Sequence, residues 1–135
     1  MNAEELLGIG ISLSRAGESI LFLQVSRDGR IKRLGDGTKA GPRHYVSGKG
    51  RPELFLAVRE GLSAELLTKS GRLALPDPVG DEMVLSIRLT SAGKQQVLEL
   101  QYGADSAPPP EDVQRFVSMA VTLTDDWYRA NLGSK

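Results

Sequence analysis

The sequence contains no cysteine among its 135 residues. Disulfides, thiolate metal sites and cysteine nucleophiles are therefore excluded. Histidine is nearly as scarce, since His44 is the only one. A general base needs a partner group and a positioned substrate. Its neighbours Arg43 and Tyr45 read as a basic loop, and no Gly-x-Ser-x-Gly element is present. The same scarcity disfavours zinc and iron. Long apolar runs are missing too. The first, Leu6 to Leu13, is interrupted by Gly8, Gly10 and Ser12 and is too short to span a bilayer. The opening Met1-Asn2-Ala3-Glu4-Glu5 is acidic where a secretory leader needs basic residues. The chain therefore reads as cytoplasmic, with no membrane partner. Net charge is absent, because 17 Lys and Arg balance 17 Asp and Glu. No global field draws in nucleic acid or an acidic membrane.

What is present is period. Ile9, Ile11 and Leu13 alternate with Gly10 and Ser12, which predicts a strand with one apolar face. After a turn at Ala16-Gly17, Leu21, Leu23 and Val25 continue the pattern, with Ile20, Phe22 and Gln24 on the other side. Arg27-Asp28-Gly29-Arg30 is a hairpin signal, because Asp-Gly tolerates the positive φ of tight turns. A third strand, near Arg30 to Leu34, closes a meander. Residues 35–51 form a Gly-rich basic loop in which His44 to Ser47 suits a short fourth strand.

Pro52 suits the first position of a helix whose stripe is Leu54, Val58, Leu62 and Leu66, with Phe55 widening it. Gly61 weakens that helix, and Gly71 is placed to end it. Past the loop Leu75-Pro76-Asp77-Pro78 comes a clear hairpin. Met83, Leu85, Ile87 and Leu89 point inward, with Val84, Ser86, Arg88 and Thr90 outward. The return strand sets Leu98, Leu100 and Tyr102 inward, with Val97, Glu99 and Gln101 outward. A Pro-rich connection over 104–109 precedes a second helix, whose expected stripe is Val113, Phe116, Val117, Ala120, Thr124 and Trp127, with a frayed end at Gly133. Together these features predict one α+β domain over 1–135. Its antiparallel sheet of about five strands, a three-stranded meander plus a hairpin, is covered on one face by two helices, in the order β-β-β-α-β-β-α.

A faint internal echo aligns Ile11 to Gln24 with Ile87 to Gln101. Either a duplicated hairpin-helix unit or the generic likeness of two Leu-rich hairpins accounts for it.

Charge is segregated despite the zero balance. Between Arg27 and Arg51 lie eight basic residues and only Asp28 and Asp36, so this segment carries net +6 and the remainder net −6. Arg27, Arg30, Lys32, Arg33, Arg43, Lys49 and Arg51 are accordingly the candidate contacts for a partner, with Trp127 as a candidate interface anchor. The alternative is a solvated strand face with Trp127 in the core. Tyr45 is the only aromatic near the basic segment, which disfavours a base-stacking platform and hence nucleic acid. Ser47-Gly48-Lys49-Gly50 fails as a phosphate loop, because Arg43 stands where the first glycine belongs and Gly50 follows the lysine. Asp77, Asp81 and Glu82, and separately Asp125 and Asp126, do not match the calcium-loop spacing. No catalytic, cofactor-binding or metal-ligating residue is identified. Ile20, Phe22, Val84 and Val97 share the outer sheet face, where an apolar patch would mark a partner or dimer contact.

The layout of Asp28-Gly29, Leu75-Pro76-Asp77-Pro78, the alternating hairpin Val84 to Tyr102 and Pro108-Pro109-Pro110 resembles that of small bacterial emfourin-type proteins. The likeness covers roughly residues 18 to 123 and carries no diagnostic motif. It implies inhibition of thermolysin-type metalloproteases by surface contact and identifies no inhibitory residue. The basic 35–51 insertion departs from the pattern. The expectation is thus a binding protein, with a protease inhibitor as one form. A homodimer joined through an exposed sheet face and a carboxylate enzyme are the alternatives.

Overall fold

The computed structural model describes residues 2–132; Gly133 and the helix end expected there lie outside them. In chain order the elements are β1 (Leu6–Arg15), β2 (Glu18–Ser26), β3 (Arg30–Gly35), β4 (Tyr45–Lys49), α1 (Pro52–Glu60), β5 (Gly71–Ala74), β6 (Glu82–Ser91), β7 (Lys94–Gly103) and α2 (Glu111–Leu132). All strands join one seven-stranded sheet, ordered β4-β3-β2-β1-β6-β7-β5. The α+β class is as expected, but the sheet is larger than five strands and is mixed. β4 extends the meander antiparallel to β3, while β5 runs parallel to β7. β5 escaped the periodicity because its four residues are all exposed and bury no alternating face. It begins at Gly71, whose φ of +105° turns the chain into the strand and does not close a helix.

α1 is also shorter than its stripe suggested, ending at Glu60 with Gly61 as cap. Leu62 and Leu66 remain buried, but on the irregular stretch and the turn that follow the helix. The Ser63 hydroxyl accepts the Leu66 amide (3.1 Å), which favours a new turn over continued helix. α2 buries Val113, Phe116, Ala120, Thr124 and Tyr128, with Trp127 half-buried beside them. α1 and α2 cover the same side of the sheet, and one continuous apolar cluster fills the space between. No helix among the described residues is long and apolar enough to cross a membrane.

β1, the first strand in the chain, is central, between β2 and β6. Ile11 pairs directly with Ile87, and Leu13 with Leu85. The two hairpins of the sequence echo are therefore related by a local two-fold axis beside Ile11, which ends where β3 and β5 pair in opposite senses.

Two glycines separate what the fold requires from what it tolerates. Gly35 has φ +77°, and a Cβ there would collide with the Ile20 carbonyl. Gly10, mid-strand in β1, has no positive φ, and a Cβ there would sit 3.7 Å from the Arg88 Cβ, in ordinary contact. Gly35→Ala should therefore cost about 1–3 kcal/mol in urea unfolding. Gly10→Ala should be neutral or stabilise by about 0.5–1 kcal/mol. A harmless Gly35→Ala would contradict the turn geometry.

Candidate functional site

Alternation along β3 decides where the basic segment goes. Ile31 and Arg33 face the helices, so Arg30 and Lys32 face the other way. Pairing of Arg30 with Lys49 across β3–β4 puts Lys49 on that same uncovered face. β6 adds Arg88, which pairs with Gly10 of β1. Three of the eight sequence candidates thus meet on one surface, joined by an arginine from 39 positions beyond Lys49 in the chain. Arg30 is engaged by Asp28 (3.2 Å). The side chains of Lys32, Lys49 and Arg88 have no carboxylate partner among the described residues.

The other candidates are elsewhere. Arg33 is fully buried, with 0% exposure, and so is removed from the contact surface. Its Nε donates to Gly35 O (3.0 Å), and Nη1 donates to Val121 O and Thr124 Oγ1 (3.1 Å each). Nη2 pairs with Asp125 (2.7 Å), and the guanidinium lies 4.5 Å from the centre of the Tyr128 ring. Burial without these partners would be prohibitive; with them the charge ties β3 to α2. Trp127 is also spent internally, its Nε1 donating to Lys49 O (3.0 Å). Arg27 donates to the Glu4 carbonyl. Arg43 donates to Lys39 O and pairs with Glu18 (3.4 Å). Arg51 is exposed at the cap of α1. Ser47-Gly48-Lys49 is extended strand, not a phosphate-cradling loop. His44 is exposed, and its carbonyl accepts the Tyr128 hydroxyl (2.6 Å).

The register orders the uncovered face into rows. One row runs Tyr45, Leu34, Phe22, Ser12, Ser86, Glu99. The next runs Ser47, Lys32, Gln24, Gly10, Arg88, Val97. Gly8, Gly10 and Ser12 make the centre low, and a trough of about 140 Å³ lies over β1 between Phe22 and Gln24 on one bank and Ser86, Arg88 and Thr90 on the other. The expected apolar patch does not form. Ile20 is buried at a bulge in the β1–β2 register, and Phe22 is separated from Val84 and Val97 by β1. Phe22 instead neighbours Tyr45, with ring centres 6.4 Å apart and planes at 37°. Sequence reasoning placed Phe22 and Arg88 on outer faces but had no signal that β1 and β6 are neighbours.

A second concavity, about 480 Å³, lies at one end of the covered side, between α2 and Leu13, Met83 and Tyr102. Burial pushes the Tyr102 hydroxyl above its usual pKa. The charges at its mouth are already engaged: Asp36 accepts the Thr38 amide (2.9 Å) and hydroxyl (2.7 Å), and Arg15 pairs with Asp81 (2.8 Å). The hydrogen bond and charge of Arg15 hold the Asp81 carboxyl below its ordinary value. Among the described residues no group of three or more His, Asp or Glu side chains is placed to hold a metal. Comparison of the chain with protein-family models finds no match, and no curated protein matches it.

Arg33→Ala should cost about 3–5 kcal/mol in urea unfolding, because it leaves buried acceptors and a void. Arg33→Met, which fills the volume, should cost less; equal stability of Arg33→Ala and wild type would contradict the tie. A depressed carboxylate pKa stabilises the fold above the unfolded value and loses that contribution as pH falls through the folded one. Asp81→Asn should therefore lower the urea midpoint at neutral pH, and the gap to wild type should close as pH drops below 3.8. A gap constant across that range would refute the Arg15 link.

Proposed function

We propose that this chain acts by binding and not by catalysis, and that it presents the uncovered face of its sheet to a macromolecular partner. The observation that carries this reading is the set of unpaired cations Lys32, Lys49 and Arg88 on a sheet face that neither helix covers. A sheet with one wet face is ordinary. Glu99 of the same face is engaged by Arg72 (3.2 Å), so the three cations gather with no carboxylate paired to them, which weakens the fold slightly and attracts a negatively charged partner. The trough between them is shallow, and its lining holds hydroxyl, amide and guanidinium groups but no carboxylate or imidazole. That inventory suits recognition better than general acid–base chemistry. Self-association through this face is disfavoured by the same charges, since a two-fold pair would set Lys32 and Arg88 against their own copies.

The test compares immobilised wild type, Lys32→Glu/Arg88→Glu, and Arg129→Glu, which reverses an exposed charge on α2. Material retained from a cell lysate by wild type and Arg129→Glu should be lost from the double variant. Equal retention by all three would contradict the reading. Sedimentation should show a monomer; a dimer that the double variant dissociates would instead favour self-association.

A further inference from the structure

Resting on that reading of the sheet face, we propose that its partner is single-stranded RNA, laid across the strands with bases on Phe22 and Tyr45 and phosphates on Lys32, Lys49 and Arg88. The fold assembles what the linear sequence keeps apart. Tyr45 had no aromatic companion within the basic segment, but β2 brings Phe22 to it across Leu34. Tyr45 is 54% exposed on the edge strand, so its ring stays open to a ligand beside Phe22. Aromatic surfaces on an open sheet are stacking platforms for unpaired bases, and stacking tolerates any base because each has a π-face.

The cations lie in the adjoining rows. Lys32 is two residues from Leu34 on the same face, roughly 7 Å along the strand. Lys49 and Arg88 extend the positive band to β4 and β6. Ser12 and Ser86 continue the row of the rings and Gln24 stands in the row of Lys32 and Arg88, and the side chains of all three make no hydrogen bond among the described residues. Such free donors and acceptors suit the 2′-hydroxyl, which distinguishes RNA from DNA. Gly8 and Gly10 are required neither by a positive φ nor by crowding, because a Cβ at either would find its nearest neighbour 3.7 Å away. Gly8 adjoins the register shift between Leu6 and Gly8, whereas Gly10 lies in regular pairing on both sides, and a strand glycine with neither bulge nor bend fits close approach of another chain.

Other occupants fit less well. An acidic polypeptide would use the charges but leave the two rings idle, and extended peptides usually join a sheet at its edge, through backbone bonds. Duplex nucleic acid hides its base faces, and no helix projects from this surface to enter a groove.

The experiment is fluorescence anisotropy of a labelled mixed-sequence 12-nucleotide RNA, titrated with the full chain. The comparators are DNA of the same sequence, the RNA duplex, and a Glu-rich peptide. Tyr45→Ala should weaken RNA binding about tenfold, Tyr45→Phe should keep it, and Lys32→Glu/Arg88→Glu should abolish it. The log–log slope of affinity against salt should be about −2 for three phosphates neutralised on a single strand. Tyr45 is exposed, so a urea midpoint equal to wild type will show that the Tyr45→Ala chain is folded. Absence of RNA binding at 50 mM salt, equal binding of DNA or duplex, tighter binding of the acidic peptide, or indifference to Tyr45→Ala would each overturn the proposal. If RNA fails but lysate capture still depends on Lys32 and Arg88, the binding face stands and only the RNA assignment falls.

Discussion

Arg33 carries a full positive charge beneath α2, where removal from water would cost several kcal/mol if it were left without partners. It is compensated at every donor position named above, by two carbonyls, a hydroxyl and a carboxylate, and its flat group stacks on Tyr128. Tyr128 in turn accepts the Gly35 amide (2.9 Å) and donates to the His44 carbonyl. One cluster therefore fixes the helix, the third strand and the start and finish of the glycine-rich loop. Because strands alternate, the choice that sends Arg33 inward sends Arg30 and Lys32 outward. The covered face and the charged face are consequences of one register.

That division explains how a neutral chain can present a charged surface. Three of the eight basic residues of the segment are paired within the chain: Arg33 with Asp125, Arg43 with Glu18, Arg30 with Asp28. Lys32 and Lys49 remain unpaired on the sheet face, where Arg88 joins them, while Arg27, Lys39 and Arg51, also without a carboxylate partner among the described residues, lie outside the strands. The low central floor, made by glycine and serine in β1, gives this surface relief without any loop or lid. The strands fix the backbone positions of these residues, so a partner orders side chains but little backbone on binding.

Much of this was legible in the sequence. Period-two patterns indicate both hairpins and their inward faces, and the expected α2 stripe differs from the core in that Tyr128 is buried where Trp127 was expected and Val117, like Trp127, is only partly buried. Hairpins are local, so turn chemistry and alternation suffice to set them. The contact between β1 and β6 joins positions as far apart as Leu6 and Ser91, and no local signal reports it. β5 was invisible because a short exposed strand needs only backbone partners. The break at Gly61 was hidden because Leu62 and Leu66 stay buried past the helix end, keeping the spacing of a helix that is no longer there. Arg33 was misjudged for a readable reason. It shares a face with Ile31, and if Ile31 is core then Arg33 must be too. Counting the residue as charge in a basic run concealed its position in the strand.

The most direct measurement is an amide chemical-shift map of the chain, recorded with and without the 12-nucleotide RNA. Perturbations should gather on Gly10, Ser12, Phe22, Gln24, Lys32, Tyr45 and Arg88, with α2 silent. Perturbations concentrated along α2 or around Tyr102 and Pro109, with the sheet face unmoved, would contradict it.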